Sequence, residues 1–264
     1  MMQLAAALAA GGVALAAIMT AAWLIQQKTG NSGWIDTIWT FGTGFVAAGL
    51  ALWPISGDSA LWRQLLVAVM AASWSLRLGW HIAARTRHAT DDPRYLAMMK
   101  SWGAAAPRRL FWFLQAQAAV GLVLAGAVMV AAHRPLQGWI WTDVAAIAVF
   151  VAGWLIETLS DAQLASFKRT APSGSVCDIG LWSWSRHPNY FGEWLCWCAY
   201  PLLALGSDYP LGLVTLVAPA IIYWTLVYAS GIPPLEAHMR RSRPQAWAVY
   251  ARRTSPFFPR PPRS

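Results

Sequence analysis

Apolar residues in this chain neither alternate with polar ones nor recur at helical spacing over short stretches; they form long runs separated by short polar joints. Seven such runs stand out, at roughly 4–25, 34–53, 60–84, 110–132, 140–160, 192–207 and 211–230. A helix that crosses a bilayer needs about 20 mostly apolar residues, so the pattern predicts seven spanning helices, the sixth of them short. The expected architecture is an all-α polytopic integral membrane bundle of about seven transmembrane helices, with cytoplasmic loops suited to a cofactor. Only two internal polar stretches are long, 85–109 and 161–191, and no linker, repeat or low-complexity block divides the chain. A single transmembrane domain over 1–264 is expected. The first run lacks a basic leader and a small-residue cleavage site, so it reads as a retained helix rather than a removed signal.

Composition agrees with the runs. Hydrophobic residues make up 57% of the chain and charged residues only 12%, outside the balance of a soluble globular domain. The formal charge of +9 would ordinarily raise nucleic acid as a partner, but its placement argues for topology instead. All Lys and Arg residues except Arg63, Arg77 and Arg134 fall on one side of a seven-span arrangement. The positive-inside rule then sets the N-terminus outside and the long loops and C-terminus in the cytoplasm, as in a bacterial inner membrane. Cys177, Cys196 and Cys198 offer neither an even disulfide framework nor a CxxC metal motif. The 18 tryptophans suit interfacial belts.

Ionisable residues within or beside the runs are the candidates for chemistry, because each costs about 2.5–3.5 kcal/mol to insert and requires a partner or a task. Glu157, Asp161, Leu164 and Lys168 share one helical stripe at the end of the fifth run, and Arg77, His81 and Arg85 share another at the end of the third. Such stripes also serve as salt bridges between helices. "DDPRY" (91–95) has the form of a helix cap with Pro93 in the first turn, and it also supplies Arg94 and Tyr95. Asp36, two residues after Trp34, stands at headgroup level. The "GTG" at 42–44 lacks the strand and spacing of a nucleotide loop and reads as small-residue helix packing. The densest cluster is "RHPNYFGE" (186–193). Pro188 suits a first helical turn with Ser185 or His187 near the cap, and Asn189 and Glu193 then lie on one face. The segment 234–253 mixes arginines with Leu, Met, Trp, Val and Tyr, as in an amphipathic surface helix that Pro244 would kink or divide.

"ETLSDAQLASFKR" (157–169) followed by "GLWSWSRHPNYFGEWLCW" (180–197) resembles the C-terminal half of the steroid 5-alpha-reductase superfamily, most closely a bacterial membrane branch of it. "RLGWHIAARTRHATDDPRY" (77–95) and the ending from "SGIPPLEAHMRRSR" (230–243) onward resemble the same branch. More distantly the pattern is similar to sterol reductases and isoprenylcysteine carboxyl methyltransferases. The resemblance implies a helical membrane bundle that binds NADPH with its cofactor half over approximately 75–259. By position it assigns Asp161, Lys168, Asn189, Tyr190 and Glu193 to the cofactor, with Arg186 and His187 matching an "RHP" form. Arg77 and Arg85 are approximate equivalents of phosphate-binding arginines, Arg94 is a further cofactor-binding candidate beside them, and Glu236 lies near a cofactor-contacting tail position. Steroid reductases hold the substrate with an early Gln-Glu pair and a third-span Tyr, and this chain has neither. Asp36, His81 and Tyr95 are therefore the candidates for the proton donor.

Three functions of different class follow. The first is an NADPH-dependent reductase of a lipophilic substrate with a conjugated carbon-carbon double bond, acting among membrane lipids. The second is S-adenosylmethionine-dependent methyl transfer, to which the "RHPNY" form also belongs. The third is a non-enzymatic lipid-binding protein whose polar stripes only join helices. The surplus of phosphate-sized cations favours NADPH.

Overall fold

The structure, a computed structural model, describes residues 2–55, 57, 59–87, 91–172 and 174–263. His88, Ala89 and Thr90 of the 77–95 motif, and Ser173 of the 161–191 loop, lie outside the described residues. Among those described there is no β-strand; only an isolated bridge joins Ser185 and Ser255. The backbone forms two compact units, 1–139 with 203–217, and 140–202 with 218–264.

In the first unit α1 (Met2–Thr29), α2 (Trp34–Ala51), α3 (Leu61–Thr86), α4 (Pro93–Trp102) and α5 (Ala106–Ala132) follow the first four apolar runs and the polar joint before the fourth. α2 packs against α1, α3 and α5, and the "GTG" stretch explains how. A methyl on Gly44 would sit 2.0 Å from the Ser75 Cβ of α3, one on Gly42 would meet Ile18 of α1 at 2.8 Å, and one on Gly121 of α5 would meet the Thr43 hydroxyl at the same distance. Ser75, fully buried, donates to the Thr40 carbonyl at 3.0 Å. Small residues thus let three helices approach one backbone, as the sequence predicted. On the opposite side Arg134 donates to the Leu205 carbonyl and to Asp208, and Arg63 to the Leu203 carbonyl. These two arginines, exceptions to the charge asymmetry, tie down the 203–208 turn.

The second unit holds α6 (Trp141–Thr170), α7 (Leu181–Trp184), α8 (Pro188–Ala204), α9 (Val217–Trp224), α10 (Ile232–Ser242) and α11 (Pro244–Arg253), where α8 and α9 each continue by one or two residues into the first unit. Helix α6 is inside out. Its buried face reads Asp143, Ala146, Phe150, Gly153, Glu157 and Ser160, while Val144, Val151, Leu155 and Leu159 are exposed. An apolar outer stripe and a polar inner one suit lipid rather than water outside. Pro244 divides the tail helix as expected. The seventh run is less regular than predicted: Pro210–Leu216 is a 3-10 turn and Thr225–Ala229 a π turn, with α9 between them. Pro219 withholds an amide donor that a continuous α-helix would need, while Pro210 opens the 3-10 turn.

Five helical stretches are long and apolar enough to cross a membrane: Met2–Thr29, Leu61–Thr86, Pro93–Ala132, Trp141–Thr170 and Pro210–Ser242. The second and sixth runs give α2 and α8, of 18 and 17 residues. At about 1.5 Å per residue each is a few ångströms short of the ~30 Å hydrocarbon core. Asp36 in α2, and Asn189, Glu193 and Pro201 in α8, also lower their apolar character. The chain is a polytopic helical membrane protein.

The Gly44→Ala variant forces its methyl into Ser75, and overpacking of this kind costs about 1–3 kcal/mol. Thermal unfolding in detergent should show that loss, and adding Ser75→Gly should recover part of it. A Gly44→Ala variant as stable as wild type would contradict the tight α2–α3 contact.

Candidate functional site

The motif that stood out in the sequence is built where α6 crosses α8. A methyl added to Gly153 would meet the Gly192 carbonyl oxygen at 2.6 Å, and one added to Gly192 would meet the Gly153 carbonyl at the same distance. With no side chain between the two backbones, the acids of α6 and the polar groups of α8 come together on either side of the crossing. Toward the loop end, the Asn189 amide donates to Asp161 Oδ1 at 3.2 Å. Both residues are half-buried. Glu157 and Glu193 are buried beside the crossing, and Glu193 Oε1 accepts from the Trp197 indole at 2.9 Å. Lys168, two turns beyond Asp161 on α6, is exposed and forms no ion pair among the described residues.

Pro188 opens α8, so His187 takes the cap position. The buried Ser185 hydroxyl accepts from the His187 amide at 3.1 Å and donates to the Phe257 carbonyl at 2.8 Å. Of the two residues the sequence offers for the cap, Ser185 or His187, His187 directly precedes the helix and Ser185 holds the His187 amide. The His187 and Tyr190 rings stack with centroids 5.6 Å apart. Burial pushes the His187 imidazole below the ordinary value of 6.5, and Glu236 only partly offsets that. His187 is therefore neutral around pH 7.

Glu236 is the hub of this end of the unit. It is buried, and its Oε1 receives Arg186 Nε at 2.8 Å and Arg186 Nη2 at 2.7 Å, with His187 Nε2 at 3.4 Å. Oε2 receives Arg240 at 2.8 Å. Arg186 Nη1 donates to the carbonyls of Ala251 and Thr254, both at 3.0 Å, and its guanidinium lies over the Trp247 ring. Arg186 thus clamps α10 and α11 onto the start of α8, and most of its donors are taken up within the protein. The segment after α11 continues the clamp: the Arg186 amide donates to Ser255, and the Arg260 amide to Trp184. Phe257 and Phe258 pack edge-on against Phe191 and Trp194. Tyr250, whose phenol burial pushes above its ordinary value, donates to the Trp182 carbonyl at 2.6 Å. The sequence signal for this contact was present only as two separate motifs, the "RHPNYFGE" helix start and the "PLEAHMRR" tail.

The first unit carries a separate polar cluster. Asp92 caps α4 by accepting from the Arg94 amide at 2.8 Å, with Pro93 in the first turn. Arg94 also grips Asp92 with its side chain at 2.8 Å and binds Asp36 of α2. Although burial pushes the Asp92 carboxyl up, Arg94 outweighs it and holds the group below the ordinary range. The buried Tyr95 hydroxyl donates to Asp36 at 2.7 Å and accepts from the Gln117 amide at 3.1 Å. "DDPRY" is thus both a cap and a polar network. Two of the three proton-donor candidates, Asp36 and Tyr95, meet there, and Gln117, which the sequence reading passed over, completes the contact. His81 is exposed on α3, as is Arg85, while Arg77 is half-buried.

Removing one partner of a buried ion pair costs about 3–5 kcal/mol, because the other charge stays buried. Glu236→Ala should therefore lower the melting temperature and open the arginine-rich end after residue 240 to trypsin. Wild-type resistance in that variant would contradict the clamp. Because the folded-state value of His187 is depressed, its contribution to stability is complete above about pH 6.5 and is lost as pH falls toward the folded value. The His187→Asn variant should show a flatter stability profile below that pH, and an unchanged slope would contradict a buried neutral imidazole.

An uncharacterized protein of Schizosaccharomyces pombe (strain 972 / ATCC 24843), C594.04c, is 21% identical over 275 residues, covering 90% of this chain and 75% of its own length. No solved structure matches. A family model described as "Protein of unknown function (DUF1295)" matches residues 22–254. That match spans both the crossing of α6 with α8 and the Asp36–Tyr95 network, and the chain belongs to this DUF1295 family, a steroid 5-alpha-reductase-like membrane family.

Proposed function

We propose that the protein is an NADPH-dependent membrane reductase of a lipophilic substrate with a conjugated carbon-carbon double bond. The observation that carries this reading is the glycine-to-glycine crossing of α6 and α8, with the Asp161–Asn189 pair at its loop end and the exposed Lys168 beyond. Seven residues of helix separate Asp161 from Lys168, or about 10 Å at 1.5 Å per residue. A carboxylate, an amide and an ammonium so spaced fit a ribose hydroxyl, a carboxamide and a phosphate in turn. The donor set therefore suits a dinucleotide.

NADPH, when bound, supplies the hydride. The chain's own share at this crossing is binding and orientation. Asp161 accepts from a ribose hydroxyl, Asn189 offers the rest of its amide to the ligand, and Lys168 pairs with phosphate. Glu193, anchored by Trp197, fixes the wall below them. Among the phosphate candidates of the second unit Lys168 remains accessible, whereas Arg186 is held by Glu236, as Arg94 is by Asp36 and Asp92 in the first. Those two arginines act as positioning residues in this reading. The Tyr95 hydroxyl, oriented by Asp36 and Gln117, belongs to the separate polar network of the first unit. The N-terminus is read as outside and the basic loops as cytoplasmic, in a bacterial inner membrane of the steroid-reductase-like branch.

One observation favours a second reading, S-adenosylmethionine-dependent methyl transfer. With Arg94 and Arg186 committed internally, fewer cations are left for phosphates, and the methyl donor carries none.

NADPH oxidation by purified protein supplied with enone lipids tests the first reading. Asn189→Ala should raise the KM for NADPH by roughly tenfold, the worth of one good polar contact. Labelled methyl incorporation into lipid, with no NADPH oxidation, would replace the first reading with the second.

A further inference from the structure

The first unit carries a basic concavity that the reductase reading leaves unused. Trp102, Ala105, Arg108, Arg109 and Trp112 line an open cavity of about 490 Å³ where α4 gives way to α5. Arg108 and Arg109 are exposed, no acidic residue lines the cavity, and neither arginine forms an ion pair among the described residues. By contrast Arg94, only one helix away, is engaged by two carboxylates. Two adjacent guanidinium groups without an anion make a recognition site for a singly charged phosphodiester.

The depth of the cavity in the membrane follows from its neighbours. Arg108 and Arg109 stand at the first turn of α5, and Leu110 begins the apolar run that crosses the bilayer. Trp23 of α1 donates its indole N–H to the Pro107 carbonyl at 3.0 Å and packs edge-on against Phe111. Trp112 is 63% exposed. Indole rings gathered at one level mark the headgroup layer, where an amphipathic ring is most stable. A ligand seated here has its charge at the arginines and its acyl chains along the apolar flank of α5.

We propose that this cavity binds the headgroup of an anionic membrane phospholipid, with Arg108 and Arg109 on the phosphodiester and Trp102 and Trp112 flanking the glycerol. It is a lipid site separate from the α6–α8 crossing and independent of what that crossing binds.

Native mass spectrometry of the full chain in mild detergent, titrated with phosphatidylglycerol or phosphatidylcholine, tests the proposal. Wild type should retain phosphatidylglycerol in preference to phosphatidylcholine. Arg108→Gln with Arg109→Gln should lose that retention by roughly tenfold or more, given about 1 kcal/mol for each basic residue at an anionic surface. Arg241→Gln, which removes a charge elsewhere, should not. If the double variant does not fold, Arg109→Gln alone reads the same ratio. Equal retention of both lipids by wild type, or undiminished phosphatidylglycerol on the arginine variants, overturns the site. Displacement of the lipid by inorganic phosphate overturns its assignment to a lipid rather than to a soluble phosphate.

Discussion

The second unit depends on one contact that has no side chain in it. At Gly153 and Gly192 two helix backbones meet so closely that either glycine's missing methyl would strike the other's carbonyl oxygen at 2.6 Å. In a membrane, where burying apolar side chains gains nothing over lipid, such backbone packing is a main source of helix association. Everything polar in this region is arranged around it. Glu157 lies one turn along α6 and Glu193 directly follows Gly192 on α8, and further toward the loops comes the Asp161–Asn189 hydrogen bond. The register of that contact determines which of these groups can meet.

A second constraint is the cost of charge away from water. At Glu236 the protein meets it by grouping one buried acid with several donors. Glu236 serves Arg186, Arg240 and His187 at once, and Arg186 spends its remaining donors on the carbonyls of Ala251 and Thr254. That hub ties three helices and the terminal segment into one piece, so the "RHP" start of α8 and the "PLE" of α10 are two halves of a single feature. The same logic, with different residues, holds Asp36, Asp92 and Tyr95 around Arg94 in the first unit. Where basic residues lack such partners, as at Lys168 and at Arg108 and Arg109, the chain presents charge outward.

Much of this was legible in the sequence because membranes impose a coarse code. Long apolar runs gave the helices, and the reading of "GTG" as packing rather than nucleotide binding followed from the absence of a flanking strand. The pairing of Asp161 with Asn189 fits the stripes read from helical spacing. What could not be read were contacts whose partners lie far apart along the chain. Nothing in "RHPNYFGE" says that Arg186 faces Glu236 fifty residues later, so a free phosphate-binding arginine and a clamped one look alike. Gly153 and Gly192 were passed over because a glycine in an apolar run carries no mark of what approaches it. The irregular 210–229 region escaped for the opposite reason, since its composition is that of a uniform helix and only Pro210 and Pro219 hint otherwise.

The central claim is that the crossing of α6 and α8 builds a dinucleotide site. The measurement that tests it most directly is a thermal-shift titration of wild type and Gly192→Ala with NADPH, NADH and S-adenosylmethionine. A ligand at 100 times its dissociation constant stabilises the folded state by about 2.7 kcal/mol. The account predicts that NADPH raises the melting temperature of wild type and that the folded Gly192→Ala protein loses the shift. Folded wild type that ignores NADPH, or that responds to S-adenosylmethionine instead, would contradict it.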